Sequence, residues 1–181
     1  MARLASPPDS LVGSSHLVYD KIMNIILRKL QSNDLQYFTQ WWRDPELIKL
    51  TSGNFDELSD KKVEKYFNAM LENKTDYHWM IQVDDQTVGH ISLNKNRGGW
   101  YETQIVIGKK DFWSKGIGSD SINQLIIKAK AENISKIYLE VRPNNSRAIR
   151  SYEKSGFKKI KTIKYPNNLN LPETIRMEYQ L

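Results

Sequence analysis

Cysteine is absent from the 181 residues, which excludes disulfides, thiolate metal sites and cysteine nucleophiles and fits a reducing compartment. Histidine is scarce. The three present (His16, His78, His90) lack ligand spacing, so no metal centre is expected. No apolar run approaches the roughly 20 residues that span a bilayer. The N-terminus also lacks a long apolar core behind a basic start, which argues against a signal peptide. A cytoplasmic chain with no membrane partner is expected, and one of this length is expected to form a single domain. Residues 1–22, with Pro7-Pro8 and several serines, read as a flexible leader. Met23 is the expected natural start, and 23–181 the domain.

Charge is divided unevenly. Of the net +6, residues 108–181 hold 15 basic against 7 acidic side chains, whereas residues 31–107 hold 8 basic against 12 acidic. A basic C-terminal half suits a polyanionic partner and an acidic middle a cationic one. Nucleic acid is not the expected polyanion, because no recognised nucleic-acid motif accompanies the charge.

Apolar periodicity sets out the elements. Met23–Leu30 reads as a strand; Ser32 or Asn33 is then placed to cap a helix through Leu35, Phe38, Trp41 and Trp42, ended by Asp44-Pro45. Leu47–Leu58 has no clear period. Ser59 is expected to cap a helix with Val63, Phe67, Met70 and Leu71 on one face. Period two then takes over in strands Tyr77–Val83, Thr87–Leu93 and Trp100–Ile107, joined by a tight turn at Asp84-Asp85-Gln86 and a looser one at Asn96–Gly99. A helix from Ser119 to Glu132, a strand Lys136–Val141, a helix Ser146–Ser155 closed by Gly156, and strands Phe157–Tyr165 and Thr174–Tyr179 follow. The order is β-α-α-β-β-β-α-β-α-β-β, and the passage Trp100–Val141 predicts a right-handed crossover between parallel neighbours.

Two segments carry chemistry. The loop Phe112-Trp113-Ser114-Lys115-Gly116-Ile117-Gly118-Ser119 joins a strand end to a helix start. Glycines at 116 and 118 let the backbone bend and approach a ligand, while the unpaired N–H groups of the first helical turn favour an anion. It is neither a Walker loop nor a dinucleotide fingerprint. The second segment runs from Val141 to Phe157 as Asn145-x-x-Ala148-x-x-x-Tyr152-x-x-x-Gly156-Phe157. An asparagine, 144 or 145, caps its helix, and Ala148 and Tyr152 lie one turn apart on one face.

The two together resemble the GNAT superfamily of acyl-CoA N-acyltransferases. The Phe112-Trp113-Ser114-Lys115-Gly116 lead-in looks most like the branch of ribosomal-protein N-terminal acetyltransferases, and some aminoglycoside acetyltransferases are also similar. The resemblance implies a single α/β (α+β) domain. Its mixed, mostly antiparallel seven-stranded sheet would have a central parallel βαβ splay and about four helices. The implied activity is acetyl transfer from acetyl-CoA to an amine, either a protein N-terminus or a small cationic amine, by direct attack on the thioester. A catalytically silent acyl-CoA-binding sensor or interaction domain is the alternative, and a monomer or homodimer the expected assembly.

The resemblance also assigns residues. Ile105, Val106 and Ile107 would meet the thioester arm of acetyl-CoA. The loop from Ser114 through Lys115, Gly116, Ile117 and Gly118 to Ser119, with Asn145, Ala148 and Tyr152, would complete the coenzyme site, and no metal is implied. The family loop usually opens with Gln or Arg three residues before its first glycine, where this chain has Trp113. Tyr152 matches the family's proton donor to the departing thiolate. Glu102 shares a strand face with Trp100 and Gln104 and is the candidate base, with His90 as a second. Trp41, Trp42, Phe55 and Tyr66 fall where the family builds its acceptor pocket, and Asp44, Glu46, Asp56, Glu57 and Asp60 could attract a cationic amine.

Overall fold

The computed structural model describes residues 23–51 and 58–180. Seven strands form one sheet in the order β1-β2-β3-β4-β5-β7-β6. They are β1 Ile25–Lys29, β2 Tyr77–Val83, β3 Gln86–Lys95, β4 Trp100–Ile107, β5 Lys136–Val141, β6 Lys158–Lys164 and β7 Glu173–Gln180. Alternation along these strands feeds two cores. Trp79, Ile81, Ile91, Leu93, Ile137, Leu139 and Met177 point to one face, where the buried stripe Ile122, Leu125, Ile126 and Ala129 of α4 (Ile117–Ala131) covers them. Ile149 and Tyr152 of α5 (Ser146–Lys154) pack into the same core. On the opposite face, Met80 is covered by Phe38 and Trp41 of α1 (Leu35–Trp41), Leu47 of α2 (Pro45–Thr51), and Val63 and Phe67 of α3 (Asp60–Glu72).

Five α-helices are present among the described residues, against the four expected. The additional one is α2. Asp44-Pro45 ends the first helix, as expected, and then starts another. The Asp44 carboxylate accepts from the backbone N–H groups of Glu46 (2.9 Å) and Leu47 (3.1 Å), while Pro45 occupies a first-turn position that needs no donor. The entry to α1 also departs from expectation. A 3₁₀ turn at Ser32–Asp34 precedes it, and the cap is neither Ser32 nor Asn33. Asp34 reaches back to the N–H of Gln31 (2.9 Å) because its carboxylate is already fixed by the Arg28 guanidinium in a forked pair at 2.7 and 2.6 Å.

The tight turn at Asp84-Asp85 has both residues in the left-handed region (φ 48° and 66°), as a two-residue hairpin loop requires. The one parallel contact positions the site. β4 pairs with β5 only at Trp100↔Lys136, Tyr101↔Ile137 and Glu102↔Tyr138. Beyond Glu102 the strands part, leaving no strand partner on that edge of Thr103–Ile107. β3 continues to pair with the other edge as far as Gly89↔Ile107.

Candidate active site

The gap between β4 and β5 opens into a cleft of about 790 Å³. One end is closed by the loop from Phe112 to Gly118. There the Trp113 indole donates to the carbonyl of Ile107 (2.7 Å), fixing the loop on the end of β4. Gly116 precedes α4 at φ 82°, a backbone that L side chains rarely adopt, so the helix begins abruptly and presents the N–H groups of its first turn to the cleft. α5 forms the adjoining wall. Its Asn145 side chain accepts from the N–H of Ala148 (3.2 Å), capping the helix and aiming Ala148, Ser151 and Tyr152 inward.

Tyr152 is 8% exposed, with its ring on Phe157 at 6.0 Å between centroids, and burial alone pushes its phenol well above the ordinary range. It therefore holds its proton at any physiological pH. Thr103, 4% exposed and also in the cleft wall, has a buried hydroxyl without a hydrogen-bond partner among the described residues. An orphaned polar atom beside an unpaired strand edge is what an extended ligand with amide groups would satisfy.

The other end of the cleft is acidic. Glu102 on β4 and Glu140 on β5 are the only carboxylates in the wall among the described residues. Burial raises the pKa of Glu102 and the nearby Glu140 charge raises it further, while bonds from Gln104 and Tyr138 oppose the shift. Glu140 accepts from the hydroxyls of Thr174 (2.7 Å) and Tyr165, both on one carboxylate oxygen. Among the described residues no cation forms an ion pair with either carboxylate, although Arg176, opposite Glu140 on the neighbouring strand, acts through its charge to lower the Glu102 pKa. Arg176, stacked 3.8 Å over the Tyr138 ring, gives its Nε to Glu178 at 2.7 Å.

A family model for an acetyltransferase (GNAT) domain matches residues 24–158. The chain belongs to the GNAT acetyltransferase family. Its domain is that of an acetyl-CoA-dependent N-acetyltransferase. An uncharacterised protein of Methanocaldococcus jannaschii is 26% identical over 76% of this chain, which spans 28% of that protein's length. The aminoglycoside N(6')-acetyltransferase type 1 of Klebsiella pneumoniae is 22% identical over 80% of this chain and 79% of its own. Among solved structures, the spermidine N-acetyltransferase of Vibrio cholerae, in complex with CoA and spermine, is similar in fold. It has a TM-score of 0.75 at 20% identity, covering 86% of this chain and 95% of that one.

Within this GNAT domain the cleft brings together Glu102, Ile105, Val106, Ile107, Ser114, Gly116, Ile117, Gly118, Asn145, Ala148 and Tyr152. Two expected coenzyme residues are not in its wall. The Lys115 ammonium sits over the Phe112 ring (5.4 Å), and Ser119 is turned into the protein, its hydroxyl 2.8 Å from that of Ser151. His90 is also elsewhere. It lies on the α1–α3 side of β3, edge-on to Phe38 and stacked on His78, where burial and the second imidazole push its pKa down to about 3.

Of the aromatics, Trp42 and Tyr66 line the cleft but Trp41 is core, its ring filling the space where a side chain at Gly108 would stand. Asp44 and Glu46 are engaged by Lys110 (2.9 Å each) and Asp60 by Arg43 (2.6 Å), so none of the three is a free acceptor-binding charge. Phe55, Asp56 and Glu57 lie outside the described residues. Sequence reasoning missed Glu140, Thr103 and Arg147. For Glu140 a signal existed, since β5 was expected beside β4 and Glu140 alternates outward with Tyr138. No group of three or more His, Asp or Glu that could hold a metal occurs among the described residues, and no helix among them is long and apolar enough to cross a membrane.

Proposed function

We propose that this domain acetylates a primary amine on a small acceptor carrying more than one positive charge. The observation that carries the reading is the polarity of the cleft. Among the described residues Glu102 and Glu140 have no ion-paired cation at one end, where Arg176 acts only through its charge, and helix N–H groups and Arg147 stand at the other. An amine and an anionic coenzyme entering from opposite ends would each meet the complementary charge.

Acetyl-CoA, when bound, supplies an activated acyl carbon. The first-turn N–H groups of α4, with Gly116 and Gly118 allowing close approach, would hold its phosphates, and the free edge at Ile105, Val106 and Ile107 its amide-bearing arm. Asn145 and Ala148 keep the α5 wall close to that arm. The attacking amine must be neutral, and an alkylammonium with a pKa of about 10.4 is mostly charged at pH 7. Glu102, whose raised pKa makes it a stronger base than a free carboxylate, accepts that proton directly or through a water. As the carbon–sulfur bond breaks, the Tyr152 hydroxyl would give its proton to the departing sulfur, and the proton left on the acylated nitrogen would restore the phenol.

A protein α-amine, the acceptor of the ribosomal-protein branch that the loop resembles, needs less help from a base, since its pKa is about 7.7–8.0. Thiol release from acetyl-CoA against matched mono-, di- and polyamines, aminoglycosides and peptides with free α-amines separates the readings. Di- or polyamines should give at least about tenfold higher kcat/KM than monoamines of equal length. Equal values, or a clear preference for peptides, would refute the multiply charged acceptor. Binding without release for every amine would favour the silent sensor.

A further inference from the structure

We infer that Arg147, held in place by Trp113, supplies the phosphate-binding charge that the loop itself lacks. Where related loops open with a basic or amide side chain, this chain has an indole, and its one loop lysine is turned away over Phe112. The Trp113 ring is not idle. Tethered to the Ile107 carbonyl, it forms a fixed platform on which the Arg147 guanidinium stacks, 4.0 Å from the ring centroid. Both residues line the cleft, at the end where α4 and α5 begin. Arg147 is the second residue of α5, a helix with no acidic side chain in its first turn.

A cation at a helix N-terminus opposes the helix dipole and costs stability. Among the described residues no carboxylate pairs with Arg147 to offset that cost. An arginine at that position, stacked, half-buried and without a counter-charge, has its fork of donors available for a bound anion. The Ser119–Ser151 hydroxyl contact ties the first turn of α4 to the body of α5, and Gly116, Gly118 and Arg147 line the same cleft, so an anion over the loop would be shared between the N–H groups of α4 and the guanidinium of α5. The ligand chemistry is a phosphoryl group of the coenzyme, in its pyrophosphate or its 3'-phosphate.

This inference rests on the acetyl-CoA reading, and calorimetric titration of the intact protein distinguishes the failure of one from that of the other. Arg147→Gln, which keeps the stem over the indole, should weaken CoA binding about 10- to 100-fold. Arg147→Lys should recover part of the loss, and both changes should leave the weak binding of phosphate-free pantetheine unaltered. If the loss persists with dephospho-CoA the contact is to the pyrophosphate; if it vanishes, the 3'-phosphate. Parental CoA affinity in Arg147→Gln, or an equal loss towards pantetheine, would overturn the assignment. If the unaltered protein binds no CoA, the assignment and the acetyl-CoA reading fall together.

Discussion

Glu140→Gln should leave two separate marks on the kinetics. Glutamine keeps an oxygen to accept from Tyr165 and Thr174, so the local fold survives and stability should change by no more than about 1 kcal/mol. What disappears is a charge. A charge-assisted bond is worth about 1.5–3 kcal/mol, and partial solvent exposure of Glu140 argues for the lower end, so KM for a diamine should rise about 10- to 30-fold. A monoamine, which has no second ammonium to lose, should show a much smaller change. The second mark follows from the like charge that Glu140 places near Glu102, which raises the Glu102 pKa. Removing it lowers that pKa, so Glu102 is deprotonated at lower pH and the acidic limb of kcat/KM moves down the pH scale. Initial rates of thiol release from pH 5 to 9, with a diamine and a monoamine, measure both. An unchanged diamine KM with an unmoved acidic limb, or a limb moved upward, would refute the reasoning.

Tyr152→Phe retains the ring on Phe157 and removes only the hydroxyl. It should lower kcat about 10- to 100-fold with Tm nearly unchanged, and parental kcat would remove Tyr152 from proton transfer. Asp34→Ala leaves the Arg28 guanidinium without its buried partner and should cost about 3–5 kcal/mol in urea unfolding; a cost below about 1 kcal/mol would contradict the packing described. His90, with a folded pKa depressed to about 3 from 6.5, contributes stability that is present above pH 6.5 and lost as pH falls towards 3. That loss should reach about 2 kcal/mol by pH 5, and His90→Asn should flatten the slope. A slope unchanged in the variant would contradict it.

Much of this arrangement was legible in the amino-acid sequence because it depends on local periodicity. Strands β2, β3 and β4 fall where period-two patterning placed them, the α4 stripe recurs at helical spacing, and Asn145 is the one of the two candidate asparagines that caps α5, whereas α4 begins at Ile117, two residues before the expected Ser119. What escaped depends on neighbours distant in the chain. Neither Ser32 nor Asn33 takes the expected capping role, because the entry to α1 is set by Asp34, whose carboxylate is held by Arg28 on another element. The acidic residues of the early helices suggested an amine-attracting surface, but Lys110 and Arg43 neutralise Asp44, Glu46 and Asp60. The acidic charge in the cleft is instead Glu140 with Glu102, and the one sequence signal for Glu140 was the expected place of β5 beside β4. Lys115 and Arg147 are a similar exchange. The lysine beside the glycines is turned away, and a cation in the cleft arrives from α5, stacked on the aromatic residue that departs from the family loop.

The central claim is acetyl transfer to an amine, and the most direct measurement follows acetyl-CoA consumption and acetylated product together with a di- or polyamine as acceptor. The account predicts one free thiol released per acetyl group found on the amine, with little release when the amine is omitted. Thiol release indifferent to any amine, or acetyl-CoA left intact with every acceptor class, would contradict it.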